Sequence, residues 1–293
     1  MSPLALPIHA ASETAKSHGI TPDRCDILQN GNTLVLRLTE NLVARIVTDI
    51  DGPRQGMAWF SRENAVAQHL ASLGAPVIPM HPQIPPGPHL HSGYTLNFWQ
   101  YVHASKAEPP PHLIGSTLHQ CHATLRTFPQ NLPEMAILNE ALKLTDSPDK
   151  NIFLTRQDTA LLRERILSSL NILADFPRQA LHGDAHPGNL LLTTQGLLWT
   201  DWEDTFSGPV EWDLASILWN ARILDEDHAH ADAILDGYRS AGGTFDPVAL
   251  HHAFIARAAV MCIWYPILYP DATPERLMKL HRRLDWLRDS TSS

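Results

Sequence analysis

Leu181-His182-Gly183-Asp184-Ala185-His186-Pro187-Gly188-Asn189, continued by Leu190-Leu191-Leu192, Thr193-Thr194-Gln195-Gly196, Leu197-Leu198-Trp199-Thr200 and Asp201-Trp202-Glu203-Asp204, is the stretch on which the reading of this chain turns. Gly183, Pro187 and Gly188 rule out a regular helix at its start. Two short apolar runs with turn residues between them then predict a loop, a strand, a tight turn, a strand and a second loop. Such a hairpin brings Asn189 and Asp201 to neighbouring strand ends. An amide oxygen and a carboxylate there, with room left for water and phosphate, form the hard oxygen set that Mg²⁺ prefers. Asp184 is left over, and its carboxylate is suited to taking a hydroxyl proton. Glu203 reads equally as a group behind the metal or as a solvated turn carboxylate.

The spacing His-x-Asp-x-x-x-x-Asn followed by a metal-binding Asp resembles the second half of the protein-kinase signature. In the form HGDAHPGN with TDWED twelve residues on, and Asp213-Leu214-Ala215 a further twelve, it resembles the aminoglycoside phosphotransferase and choline kinase family. There Gly stands where protein kinases carry Arg, as Gly183 does here, which leaves no partner for a phosphorylated activation loop. The resemblance implies a bilobal α+β fold of the protein-kinase type. Residues 1–102 would form a nucleotide-binding lobe around a small antiparallel sheet, and 103–293 a mainly helical catalytic and substrate-binding lobe. It implies ATP and Mg²⁺ as cofactors, Asn189 and Asp201 as metal ligands, and Asp184 as catalytic base. Arg45 takes the place of the phosphate-contacting Lys, keeping a permanent cation and a planar donor fork, with Arg37 on the neighbouring strand as its rival. Glu63, eighteen residues after Arg45, is its implied ion-pair partner, although a Glu in a first helical turn also complements the helix dipole. Adenine is expected on backbone groups around Trp99 and Gln100, and Asp213 is expected to anchor the loop backbone. The partner is a small-molecule hydroxyl acceptor such as an aminoglycoside, an amino-alcohol or a sugar. The alternative is a catalytically inactive nucleotide-binding regulatory protein on the same fold.

Composition agrees with this class. The chain has 293 residues, 44% of them hydrophobic, with eight Trp, enough for a packed interior and unlike a disordered segment. A net charge of −9 argues against a nucleic-acid binder, which would show a basic face. Three cysteines far apart give neither a disulfide framework nor a Cys-x-x-Cys metal site. The N-terminus has no basic residues before its apolar part and is interrupted by prolines, so no signal peptide is expected. No eighteen consecutive apolar residues occur, so no membrane span is expected either. A cytoplasmic location follows as the expectation.

Along the chain, Asn30-Gly31-Asn32 predicts a turn before a hairpin of Thr33–Leu38 and Leu42–Val47. Ser61–Leu73 reads as an amphipathic helix capped by Ser61 and closed by Gly74. A strand is expected from Ala75 to Pro79, and another from Tyr94 to Val102 that ends the first lobe. Lys106–Pro111 is a stiff linker. Helices follow, the last four at about 213–224, 226–241, 246–264 and 273–288. His119 and His122 lie three apart on one helix face, a spacing compatible with Zn²⁺ but lacking a third ligand. Asp225-Glu226-Asp227 could greet an ammonium group, and Trp264, Tyr265 and Tyr269 could cage a quaternary amine. A solvated helix start and plain core packing are the favoured readings of these two groups.

Overall fold

The structure is a computed structural model that describes residues 4–31, 33–48, 56–147 and 152–290. The chain divides into two compact units, Met1–Pro109 with Asn189–Asp204, and Pro110–Gly188 with Thr205–Ser293. The break thus falls at Pro109 rather than Val102, and the hairpin after the loop belongs to the first unit. Asn32 of the expected turn and the first three residues lie outside the described residues.

The first unit holds α1 (Ala5–Ser17), β1 (Asp26–Asn30), β2 (Thr33–Arg37), β3 (Leu42–Val47), α2 (Met57–Ser72), β4 (His89–His91) and β5 (Tyr94–Gln100). The strands form one antiparallel sheet in the order β1-β2-β3-β5-β4. Side chains alternate across a strand, so Leu34 and Leu36 of β2, Ala44 and Ile46 of β3, and Leu96 and Phe98 of β5 share one face. They pack there with Ala11 and Ala15 of α1. The same alternation sends Val35, Arg45 and Asn97 to the opposite face, where they lie in register.

Four local expectations are corrected. β1 is missed because all five of its residues are exposed on a sheet edge, which leaves no alternation to read. Ala75–Pro79 forms no strand: Pro76 and Pro79 lack amide donors, and the segment makes only single bridges, Val77 to Trp199 and Met80 to Trp99. α2 starts at Met57, not after Ser61, because Gly56 turns the chain at φ 76° and the apolar Phe60 extends the buried stripe. Glu63 therefore sits beyond the first turn. Tyr94–Gln100 ends two residues earlier than expected.

The second unit holds α3 (Pro111–Leu125), α4 (Ala136–Thr145), α5 (Arg156–Leu173), α6 (Glu211–Ile223), α7 (His228–Ser240), α8 (Pro247–Leu268) and α9 (Pro274–Asp289). α8 is its central core helix. Asp246 caps its amides Val248 and Ala249, and Ala253, Ala256, Ala259 and Ile263 are among its fully buried positions. Pro266 does not break it. The proline sits in the last turn, where only one ladder bond is lost, and the helix runs on to Leu268. α8 is long and apolar enough to cross a membrane by length and composition, and 78% of its apolar window is buried inside the protein, the state of a core helix. α3 and α7 cross backbone to backbone at two glycines. A Cβ on Gly115 would overlap the Ile234 carbonyl oxygen, and one on Gly237 the His112 carbonyl oxygen.

Candidate active site

In the first unit the site is built around Arg45, which is 9% exposed. Its Nη1 donates to Glu63 Oε1 at 2.6 Å, and its Nη2 lies 2.8 Å from Asp201 Oδ1 and 3.1 Å from Glu203 Oε2. The Phe60 ring underlies the guanidinium at 5.2 Å. Asn97 Nδ2 donates to the second oxygen of Glu63 at 3.2 Å, and Arg62 Nη1 donates to the Glu203 carbonyl at 3.1 Å. The ion pair of Arg45 with Glu63 is thus present. Arg37 points elsewhere, to the Thr39 and Glu40 carbonyls and the face of Tyr101. Glu203 is not a solvated turn group but a third carboxylate on the same cation.

Three carboxylates on one guanidinium leave an excess of negative charge in a poorly hydrated place. Burial, reinforced by the charge of Asp201 and only partly offset by Arg45, pushes Glu63 up to about 7. Glu203 is pushed up to about 8 by burial and the surrounding carboxylates, again against the pull of Arg45. A carboxyl whose pKa is raised in the folded state holds its proton there while the unfolded chain has lost it. Its contribution to stability is therefore complete below the ordinary carboxylate range and disappears as pH rises through about 7 to 8. Thermal melts in EDTA should show a Tm decline that sets in above pH 4.5 and levels off above about 8, and that is reduced in Glu63→Gln; an unchanged decline in that variant would refute the assignment.

The hairpin Leu190–Thr193 with Gly196–Trp199 pairs Leu190 with Trp199, and the Thr200 amide donates to the Asn189 carbonyl at 3.1 Å. Buried Asn189 and half-buried Asp201 therefore flank the open end of one hairpin. Asp201 itself has φ 68°, a left-handed conformation that Asp tolerates better than most residues. Among the described residues no group of three His, Cys, Asp or Glu side chains is placed to hold a metal. The oxygen donors Asn189 and Asp201 nevertheless fit a hard divalent ion that keeps water and phosphate as its other ligands, and the surplus negative charge around Arg45 favours one electrostatically.

Trp99 and Gln100 are engaged by the sheet. Trp99 pairs with Val43 and bridges to Met80, while the Gln100 amide donates to Pro79 and the Tyr101 amide to Asn41. β5 has a neighbour on both sides here, so the backbone edge expected for adenine is occupied. The segment Val102–His103 lies past the ladder.

In the second unit the loop Leu181–Gly188 hangs on Asp213. Its Oδ2 accepts the His182 amide at 2.7 Å and its Oδ1 the Gly183 amide at 2.9 Å. Trp212 Nε1 donates to the Gly183 carbonyl at 2.7 Å. A carboxylate can only accept, so His122 donates from Nε2 to Asp213 at 2.9 Å, while His122 Nδ1 meets the Tyr238 hydroxyl, also at 2.9 Å. His119 stacks edge-on against Tyr238. The two histidines brace α3 against α7, and His122 also ties it to α6, so they do not form a zinc site. His182 is fully buried and accepts the Asp184 amide at Nδ1.

Asp184 keeps a side chain 31% exposed, with Arg257 Nη2 at 2.5 Å from Oδ1 and His186 Nε2 at 3.4 Å from Oδ2. Burial would raise this carboxyl, but the adjacent Arg257 charge and His186 win and hold it well below the usual carboxylate range. Arg257 was not anticipated. It lies 73 residues from Asp184, buried in the middle of α8 with its guanidinium 5.6 Å from the Trp212 ring centre. The available signal was a single Arg within the apolar run Ala253–Val260. Of the aromatic group read mainly as packing, Tyr265 has Arg283 over its ring at 5.1 Å and Tyr269 has Arg276 at 4.0 Å, so neither face is open to an amine. Of the acidic patch, Asp225 bonds His228, and Glu226 lies 3.7 Å from Arg282.

Residues 17–251 match the model of the phosphotransferase enzyme family, APH, which is well over half of the chain. The protein belongs to that family. No curated protein matches it at a significant level. Among solved structures, the phosphotransferase is similar to the amicoumacin kinase hAmiN in complex with AMP-PNP, Ca²⁺ and Ami, at 15% identity and TM-score 0.76, over 99% of this chain and 97% of that one. It is similar to the choline kinase LicA from Streptococcus pneumoniae at 17% identity and TM-score 0.67, over 97% and 100% of the two chains. It also resembles the spectinomycin phosphotransferase APH(9)-Ia in complex with ADP and spectinomycin, at 13% identity and TM-score 0.67, over 97% and 98%. At these identities the structural likeness establishes the fold, a kinase-like α+β architecture. Family membership makes the protein a small-molecule phosphotransferase.

Proposed function

We propose that this phosphotransferase moves the γ-phosphate of Mg-ATP to a hydroxyl of a small molecule in the cytoplasm. The observation that carries the reading is the cluster of Glu63, Asp201 and Glu203 on Arg45, with Asn189 and Asp201 at one hairpin end. Asn189 and Asp201 would hold the divalent ion, which when bound neutralises phosphate charge. Arg45 is kept charged and oriented by Glu63 and serves the phosphate oxygens. Asp184 orients the acceptor hydroxyl and takes its proton. Because Arg257 and His186 hold Asp184 low, it is a weak base, which suits a loose transition state where the proton leaves late. Positioning and charge neutralisation then carry most of the rate. Three free cysteines, two of them buried, fit a reducing compartment.

Titration of ATP with and without Mg²⁺ tests the metal assignment. Asp201→Ala should lose the metal-dependent part of nucleotide affinity, about tenfold or more, and keep the metal-independent part. Equal Mg²⁺ dependence in wild type and variant would remove Asp201 from the metal.

A further inference from the structure

α6 presents two tryptophans seven residues apart, hence on one face and about 10 Å apart along the helix. Each carries an arginine. Arg257 of α8 lies 5.6 Å from the Trp212 ring centre, and Arg283 of α9 lies 4.5 Å from that of Trp219, with Tyr265 on its other flank at 5.1 Å. The first arginine is neutralised by Asp184. The second is only 4% exposed, and its Nε and Nη1 are buried with no hydrogen-bond acceptor. Among the described residues it has no carboxylate partner either, since its neighbour Arg282 takes Glu226 and the Leu224 carbonyl. Buried cations are normally paired, because the desolvation of a guanidinium is large and stacking on aromatic faces offsets only part of it. Unsatisfied buried donors of this kind need an explanation.

We propose that Arg283 is the anchor of an acceptor subsite for a carboxylate, so that the molecule phosphorylated at Asp184 carries an anionic group about two helical turns from its reacting hydroxyl. This rests on the assignment of Asp184 as the group that receives the hydroxyl. A planar carboxylate matches the donor fork of a single guanidinium, whereas a cationic acceptor would meet a like charge. The subsite thus selects hydroxy acids over the amino-alcohols that an aromatic cage would favour.

The test is a chain-length series of ω-hydroxyalkanoates beside their methyl esters, assayed for ADP release with Mg-ATP. The wild type should show a KM for the best acid about tenfold or more below that of its ester. Arg283→Met should abolish the difference while leaving the ester KM in place, and Arg283→Lys, which keeps the charge, should retain part of it. Equal KM values for acid and ester in the wild type, or an acid preference that survives Arg283→Met, would overturn the subsite. Should Arg283→Met not fold, Trp fluorescence of the wild type titrated with the same acids and esters reads binding without catalysis. Saturable quenching by the acids alone, lost in Trp219→Phe, supports the subsite, and identical curves for acid and ester overturn it. Turnover of esters with no acid preference removes the subsite and leaves phosphoryl transfer standing. Acid-specific quenching with no Mg-ATP-dependent product does the reverse.

Discussion

Asp184→Asn should lower kcat by about 10³-fold, within the range that removal of a positioned proton acceptor costs, while the affinity for Mg-ATP stays within about twofold of wild type. The amide keeps the shape of the carboxyl, and the backbone bond of Asp184 to His182 Nδ1 is untouched, so the loss isolates the charge. The neighbour supplies an independent check. Arg257 holds the Asp184 carboxyl well below its usual range, so the acid limb of the wild-type pH–rate profile should lie below the ordinary carboxylate range. In Arg257→Met that hold is gone, and the limb should move to higher pH. Single-turnover assays over pH 4–8 on the three proteins would show it. An Asp184→Asn enzyme with near wild-type kcat on its true acceptor would end the base assignment.

Arg45→Met should be the most destabilising single change in the first unit. Removing one partner from a buried ionic group costs roughly 3–5 kcal/mol, because uncompensated charge is left behind, and here one cation serves Glu63, Asp201 and Glu203. The loss has a pH signature. Glu63 and Glu203, already pushed up to about 7 and about 8, would stay protonated at low pH, so the variant should recover stability toward pH 5 and be weakest near pH 9. Urea unfolding at both ends of that range measures it. The double variant Arg45→Met with Glu63→Gln should regain part of the deficit, since one buried charge is removed with its partner. A pH-independent deficit would mean that packing against Phe60, and not charge, is what Arg45 supplies.

The site was legible in the sequence where its chemistry sits on short, contiguous stretches. Gly183, Pro187 and Gly188 exclude a helix on local grounds, and two apolar runs around a turn can only be a hairpin, so Asn189 and Asp201 could be brought together without knowing anything else. Arg45 and Glu63 were reached through the resemblance; in the structure Arg45 shares with Asn97 the sheet face opposite α1, where Glu63 lies. What was not legible depends on burial. Arg283 stands among Arg276, Lys279, Arg282 and Arg288 on α9, and nothing in that series of basic residues marks the one that is buried. Arg257 became a neighbour of Asp184 only through packing of α8 against α6. Trp264, Tyr265 and Tyr269 were read mainly as packing, and what the sequence did not show is that arginines of α9 lie over two of them. Strands β1 and β4 were invisible because an exposed edge and a three-residue segment carry no periodicity.

The crossing of α3 and α7 reaches further than a packing detail. Gly237 adjoins Tyr238, whose hydroxyl meets His122, whose other nitrogen holds Asp213, from which the loop amides of His182 and Gly183 are suspended. One added methyl at Gly115 or Gly237 would wedge the two backbones apart and tug on that chain of four links at its far end. The placement of the loop that carries Asp184 thus depends on two hydrogen atoms of a remote helix pair.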